Sequence, residues 1–565
     1  MKDNIRLIAA AASAAAGALV LSPQRLCVAL VIGALFLAPG GASTAAADSA
    51  PQFSPTLSQQ IAARLDASPP LIVEGLVLDR VLLAKVYQQR ADGSIWAGHA
   101  DWMVNLEKAL AEADSEAIAP DTLGQAALRS ALIDPALPPA ERDLILTDRF
   151  LTYAAILAHG RVDISSIEEL WILPAPVFDP TAAIASLGAG SGPAEVLHEL
   201  TPSSPAYKRL RAAYARYQEI AAVGGWKSLS IGTGPGTRDA KSLVGELGDR
   251  LIAEGDLPAD RAGRHISGSQ MAAAVSRFQQ RHGLLTDGRV GPATLAALNV
   301  SPQDRIRQLA LNLERLRAMP RNWPATRIEA EQSSQMLTYY RDGEPILVSR
   351  IIVGQATHPT PVLETTVSHI ILDPTWFVPV SIIQHEIQPR LGGDSGYLLR
   401  NHFEIVGRSG GDPTGQDLDW KTTDLLAMGW KLRQLSGPWN ALGSVLFDMP
   451  NRFDVYLHDT PYHSVFGLPQ RALSHGCVRV DLARDLAGAL LGAPLPSQGG
   501  TTRAAQLGTK VPVYFLYETA FVDVSGVVEF RDDIYGRDRR FADAIAAAEA
   551  GVRLSSKAMA TAAKL

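Results

Sequence analysis

The sequence predicts a multidomain chain: an α-helical scaffold, then a compact three-helix module, then a mainly-β domain holding a mixed α/β insert. Three observations carry this. At 565 residues the chain exceeds what one hydrophobic core serves. Apolar residues recur at helical spacing from about Leu57 to Trp226 and turn to strand-like runs after about Pro324. Between these regions, residues 240–315 read as a short helical unit with its own turn signals. The expected divisions are an N-terminal segment at 1–47, the scaffold at 55–238, the module at 240–315, the mainly-β domain at 325–538 with its insert at 383–446, and a helix and tail at 539–565.

The N-terminal segment has two apolar stretches, Leu7–Leu21 and Leu26–Leu37, separated by Pro23 and Arg25. Neither reaches the roughly 20 apolar residues of a spanning helix. The second has the length of a signal core, and Ala45-Ala46-Ala47 fits a small-residue cleavage site. The expectation is a secretory signal peptide or a retained membrane anchor, with membrane contact only if the segment stays. Gln24-Arg25-Leu26 ahead of Cys27 makes a poor lipoprotein box. The formal charge of −6 becomes −8 without this segment, which loses Lys2, Arg6 and Arg25 against Asp3. No basic block stands out to neutralise phosphates, so a nucleic-acid partner is not expected.

In the scaffold, Leu78–Tyr87, Trp102–Leu110, Leu144–Leu157 and Tyr207–Ala222 each carry an apolar stripe, and catalytic residue types do not cluster. Thr233–Gly236 reads as a turn, lacking the lysine of a phosphate loop. In the module, Ser269–Arg281 reads as a helix with Met271, Val275 and Phe278 on one face. Ser267 or Ser269 can cap it, Gly288 suits a positive-φ turn, and Pro292 suits a first helical turn. Beyond Pro324, strands are expected at Gln335–Tyr340, Ile346–Gly354, Thr366–Leu372, Phe453–His458, Val511–Tyr517 and Phe521–Val524. The insert opens with a helix (Ile382–Arg390) and carries Tyr397, Phe403, Trp420, Trp430 and Trp439. Its size and position suit a lid.

The chemistry converges on Ser474-His475-Gly476-Cys477-Val478-Arg479. With Cys27 in the N-terminal segment, Cys477 is the only other cysteine and has no disulfide partner once that segment is gone. A lone thiol in an exported chain suggests a nucleophile. A thiol of ordinary pKa ~8.5 needs a base or a positive field. His458, 19 residues earlier and at a strand end, is the candidate base. His475 is the other histidine at hand, but adjacency in a loop seldom gives the ring geometry. Gly476 can turn backbone N–H groups toward an oxyanion hole. Asp481 is expected to cap a helix Leu482–Leu491 whose dipole favours the thiolate. Tyr456 shares the face of His458 by strand alternation. One sulfur without a second clustered pair argues against zinc.

Phe278-Gln279…Gly283-Leu284…Asp287-Gly288…Val290-Gly291…Thr294 resembles the peptidoglycan-binding module of cell-wall enzymes. His458 followed by Ser474–Arg479 resembles the signature of L,D-transpeptidases. Thr360-Pro361, Asp373-Pro374-Thr375-Trp376, Pro450-Asn451 and Glu529–Asp538 are similar to the large periplasmic YcbB-type members. The resemblance implies a mainly-β L,D-transpeptidase catalytic domain with a capping insert. It implies attack by Cys477 on the bond between the third residue and the terminal D-Ala of a tetrapeptide stem, with His458 as base. The backbone carbonyl of Asp459 would orient His458, and a second stem's diaminopimelate amine would accept the acyl group in a 3→3 cross-link. Tyr456, Trp376, Ser474, His475 and Arg479 match positions that line the site. No cofactor is implied. Peptidoglycan stem peptides are the implied partners, other cell-wall synthesis enzymes are candidates, and carbapenems resemble the acyl donors. Water or a lipoprotein lysine as acceptor stays open, as does a wall-binding scaffold with an inactive site. Asp373, where asparagine is expected, and Asp448-Met449, where the subgroup is more apolar, depart from the pattern.

Overall fold

The computed structural model describes residues 55–67, 70–89, 93–230 and 240–562. The N-terminal segment with Cys27, and the Thr233–Gly236 turn, lie outside them. Among the described residues no helix is long and apolar enough to cross a membrane.

The scaffold's helices start where the sequence supplies a cap or a proline. Pro139–His159, Pro180–Gly188, Pro193–Leu200 and Pro205–Ala222 each carry proline in the first turn, where its missing N–H costs nothing. Asp179 and Ser204 cap two of them through their side chains. Pro139–His159 is buried along almost its whole length. Leu144, Phe150 and Leu151 are fully enclosed with Leu106 and Leu128 of its neighbours. This central helix is what the others wrap.

The module consists of helices Ala240–Glu254, Gly268–Arg281 and Pro292–Leu298 around Leu251, Phe278 and Leu298. Ser267, rather than Ser269, forms the capping box with Gln270. Helix Pro302–Arg317 then packs along Pro205–Ala222. A hairpin, Ala520–Val522 with Val528–Phe530, reaches from the mainly-β domain to this junction. The Phe530 ring meets Tyr217 at 5.5 Å and His282 at 5.7 Å, and Arg305 lies over it at 4.3 Å. Arg531 donates to the Arg281 carbonyl at 2.8 Å. Beneath them Glu254 is fully buried. Burial alone would raise its carboxyl, but Arg281 and Arg250 hold it well below the usual range.

The mainly-β domain is a nine-stranded sheet that closes on itself. The long strand Glu344–Gly354 pairs with Met336–Arg341 through its first half and with Val478–Val480 through its second. From there the order runs through Leu457–His458, Val445–Asp448, Leu363–Leu372, Arg503–Leu516 and Arg327–Glu331 back to Met336–Arg341. Ala472–Ser474 adds in parallel to the end of Glu344–Gly354. Alternate residues such as Leu363, Val367, Ile370, Leu457, Val478 and Val480 fill the interior.

The insert has its own core, including Ile383, Leu391, Leu398, Leu425 and Leu432. Its edges differ from the expected 383–446. Trp376–Phe377 pairs with Lys431–Gln434 in a separate three-stranded sheet, whereas Val445–Asp448 belongs to the main sheet. The expected helix Ile382–Arg390 contains a π-turn at Ile383–Ile387. The expected strand Phe453–His458 shrinks to Leu457–His458. Asn451 folds the chain ahead of it, accepting from the Phe453 and Val455 N–H groups, and Asp454 takes a φ of +51°. The C-terminal element is one helix, Arg537–Ala562.

Candidate active site

Two short parallel strands place the chemistry. Leu457 pairs with Val478 and His458 with Arg479, and the Val478 N–H donates to the Tyr456 carbonyl at 3.0 Å. Leu457 and Val478 point into the sealed core. Alternation therefore sends Tyr456, His458, Cys477 and Arg479 to the other side, where the insert lies. A one-residue slip would bury the wrong set and scatter the site.

His458 is buried, and its Nδ1–H donates to the Asp459 carbonyl at 2.6 Å. That bond fixes the tautomer and leaves the Nε2 lone pair available. Burial, reinforced by the positive charge of Arg479, pushes the imidazole pKa down to about 3, so the ring is neutral near pH 7. The Asp459 carboxylate is itself held: it accepts from the Ser444 N–H and hydroxyl, both at 2.8 Å, and lies 3.3 Å from His463.

Cys477 is half-buried, and its thiol approaches the Asp454 carbonyl at 3.6 Å. Burial pushes the thiol above its ordinary value, opposed by hydrogen bonding from Tyr456 and by Arg479. Both groups are therefore neutral at rest, the thiol and the imidazole standing at adjacent paired strands. The expected cap is absent: helix Ala483–Leu491 has no side-chain cap, and Asp481 faces His463 at 3.3 Å instead. The Tyr456 hydroxyl contacts both Cys477 and Trp376, and its ring meets His458 edge-on at 6.0 Å. Among the described residues the buried Arg479 Nε has no hydrogen-bond partner.

The nucleophile loop is braced from beneath. Ser474 Oγ donates to the Cys477 carbonyl at 2.5 Å and accepts from the Gly476 N–H at 3.1 Å. The Gly476 N–H is thus used within the loop. The Cys477 N–H has no acceptor among the described residues and is the donor left for an oxyanion. Gly476 adopts a φ of +109°, closed to other residues. Its carbonyl accepts from Thr360 Oγ1 at 2.8 Å, and that oxygen accepts from the Gly354 N–H at 2.9 Å. Tyr535 Oη donates to the Gly354 carbonyl at 2.7 Å. Sequence reading singled out Thr360-Pro361 and the run holding Tyr535 without giving either a task. Gly354 gave no signal beyond its place at a strand end.

His475 is exposed, with Nε2 2.8 Å from Glu386 Oε1 of the insert and its ring 4.9 Å from His358. Neither Glu386 nor His358 was legible as part of the site. Trp376, in the insert's sheet, reaches the cluster through Tyr456. Asp373 is structural: at φ +48° its carboxylate accepts from the Gly499 N–H at 3.0 Å.

With this geometry in view, three family models match the chain. Residues 325–513 match the L,D-transpeptidase catalytic domain (YkuD), 81–213 a scaffold domain, and 241–298 a model described as "Putative peptidoglycan binding domain". A Haemophilus influenzae protein named "Putative L,D-transpeptidase" is 34% identical over 245 residues, 41% of this chain. The match spans 48% of that relative, about half its length. Among solved structures, an Enterococcus faecium L,D-transpeptidase mutant aligns at 15% identity over 34% of this chain and 50% of its own, with a TM-score of 0.18. An L,D-transpeptidase from Stackebrandtia nassauensis aligns at 15% identity over 51% and 97%, with a TM-score of 0.21. Scores this low do not superpose the folds, so the assignment rests on the family models. The chain carries a catalytic domain of the L,D-transpeptidase (YkuD) family, together with a scaffold domain and a peptidoglycan-binding domain.

Proposed function

We propose that the protein is a peptidoglycan L,D-transpeptidase acting outside the cytoplasm, with Cys477 as nucleophile and a 3→3 cross-link as product. The observation that carries this is the one thiol among the described residues, at the head of Val478–Val480, one strand from a neutral histidine whose tautomer is fixed by the Asp459 carbonyl. His458 Nε2 takes the thiol proton as sulfur attacks the carbonyl between the third residue and the terminal D-Ala of a tetrapeptide stem. The Cys477 N–H and Arg479 face the developing oxyanion. Collapse breaks the C–N bond, and His458 returns the proton to the leaving D-Ala amine. The thioester is then attacked by a second stem's amine. A C–N bond forms, the C–S bond breaks, and the amine's proton passes through His458 to sulfur. The peptidoglycan-binding domain matches a substrate of this kind.

The test is incubation with disaccharide-tetrapeptide, read by mass spectrometry beside Cys477→Ala. A dimer lacking one D-Ala, absent in the variant, is expected. Tripeptide without dimer makes water the acceptor, and no turnover by the wild type overturns the catalytic reading.

A further inference from the structure

Resting on that reading, we propose that Glu386 of the insert is the docking residue for the acceptor, recognising it by the positive charge of its amine. An aliphatic amine reaches the thioester mostly as an ammonium ion near pH 7, with its ordinary pKa near ~10. The charged groups around the thiol do not all suit it. Arg479 is a cation and repels it. Asp454 meets the sulfur through its backbone carbonyl at 3.6 Å, and its charge acts on the nucleophile itself. Glu386 belongs to the insert and touches the nucleophile loop at His475, two residues before Cys477.

The carboxylate is built as a receptor. It lies on the π-turn Ile383–Ile387, whose ends Ile383 and Ile387 are anchored in the insert's core. Such one-turn widenings aim a side chain that a regular helix would direct elsewhere. Its side chain is 40% exposed, and its only ion-pair partner among the described residues is His475. Arg390 and Arg400, the cations nearest in the insert's sequence, go elsewhere: Arg390 lies over Tyr397 and Arg400 pairs with Asp394. A carboxylate facing an exposed imidazole can exchange it for an ammonium without leaving a buried charge unpaired, so an incoming amine meets little resistance. Uncharged water gains nothing from the carboxylate, so the same residue biases the thioester toward transfer over hydrolysis.

The experiment compares the two half-reactions in the full-length protein. The probes are a disaccharide-tetrapeptide donor and a monoamine acceptor, glycinamide, varied over concentration. Glu386→Gln keeps an oxygen for His475 and removes the charge. The expected result is a rise of about tenfold in acceptor KM and a product ratio shifted toward hydrolysis, with Cys477 acylation within about twofold of wild type. Glu386→Asp, which restores the charge, is expected to recover most of the transfer. Acylation falling in step with transfer would mean that Glu386 only clasps the insert, and would overturn the proposal. So would an unchanged acceptor KM. If the wild type is not acylated, the catalytic reading falls and this assignment falls with it, whereas acylation with unaltered acceptor dependence in Glu386→Gln removes this assignment alone.

Discussion

Cys477 and His458 rest as a neutral pair, and this sets the pH behaviour. With the thiol raised above its ordinary value and the imidazole lowered to about 3, the sulfur is not ionised by its neighbour across the physiological range. Alkylation of Cys477 by iodoacetamide is expected to climb with pH past 9, with no plateau between pH 5 and 8. A thiolate–imidazolium pair would instead give a plateau with an inflection near pH 6. Donor acylation needs neutral His458 and so is expected to persist down to about pH 4. The same shift bears on stability. A histidine whose folded pKa lies below its unfolded value contributes fully above about 6.5, and that contribution is lost as pH falls toward 3. The shift corresponds to on the order of 5 kcal/mol. Replacing His458 with Gln should move the acid-unfolding midpoint, followed by circular dichroism, to lower pH. An unmoved midpoint would place the proton load on other groups. At this scale the sequence spoke clearly where chemistry needs a rare residue: one thiol, one histidine at a strand end, a glycine before the nucleophile. It was silent on Glu386 and His358, because an acidic residue in an insert and a histidine in a loop look alike wherever they fold to.

Elements, rather than single side chains, hold the nucleophile loop in shape. Gly354 ends the long strand under Gly476. A Cβ there would fall 2.1 Å from the His358 carbonyl oxygen, 2.8 Å from the Thr360 N and 3.1 Å from the Gly476 Cα. All three are backbone atoms and cannot swing aside. Gly354→Ala is expected to push the loop 358–360 off Gly476 and to cut donor acylation at least about 100-fold, since a displacement near 1 Å at an active site costs about that much. The fold should survive, as the strand's other pairings are untouched. Mass-spectrometric acylation rates beside a thermal melt separate the two effects, and wild-type acylation with a normal melt would refute the packing argument. Strand and helix positions were legible here from periodicity and proline placement. The ends were not. Phe453–His458 carries strand-like residues throughout, but the side chain of Asn451 captures the backbone of its first half. Trp376–Phe377 was visible as a motif, and its membership of a second sheet depends on a partner nearly 60 residues away at Gln434.

Across the whole molecule, charge is buried where domains meet. Glu254 sits between Arg250 at 2.5 Å and Arg281 at 2.9 Å, and Tyr217 of the scaffold donates to it at 2.6 Å. Removing the carboxylate leaves the buried Arg250 guanidinium without its anion, while Arg281 keeps Asp256 at 2.6 Å. Glu254→Ala is expected to cost about 3–5 kcal/mol, the usual cost of breaking a buried pair from one side. Urea denaturation should show the module and the hairpin Ala520–Phe530 unfolding at lower concentration, and protease should cut between them. A melt within 1 °C of wild type would show that the junction is held by Phe530 and its aromatic neighbours instead. The domain sequence was readable from changes in periodicity along the chain. This junction was not, because Glu254 and Arg281 look like ordinary helix-surface residues until a third element closes over them.

The closed sheet also constrains how the protein can come into being. Ile328 lies beside Val513, 185 residues later, in a parallel pairing that no hairpin can nucleate. At ribosomal rates of about 5–20 residues per second, the first strand waits roughly 10–40 seconds for its neighbour to be made. The insert's compact core and the early hairpins can assemble in that interval, but the ring cannot. The strands bearing His458 and Cys477 take their register from Val445–Asp448 and Glu344–Gly354, both made earlier, so the catalytic pairing can form before Arg503–Leu516 closes the ring around it.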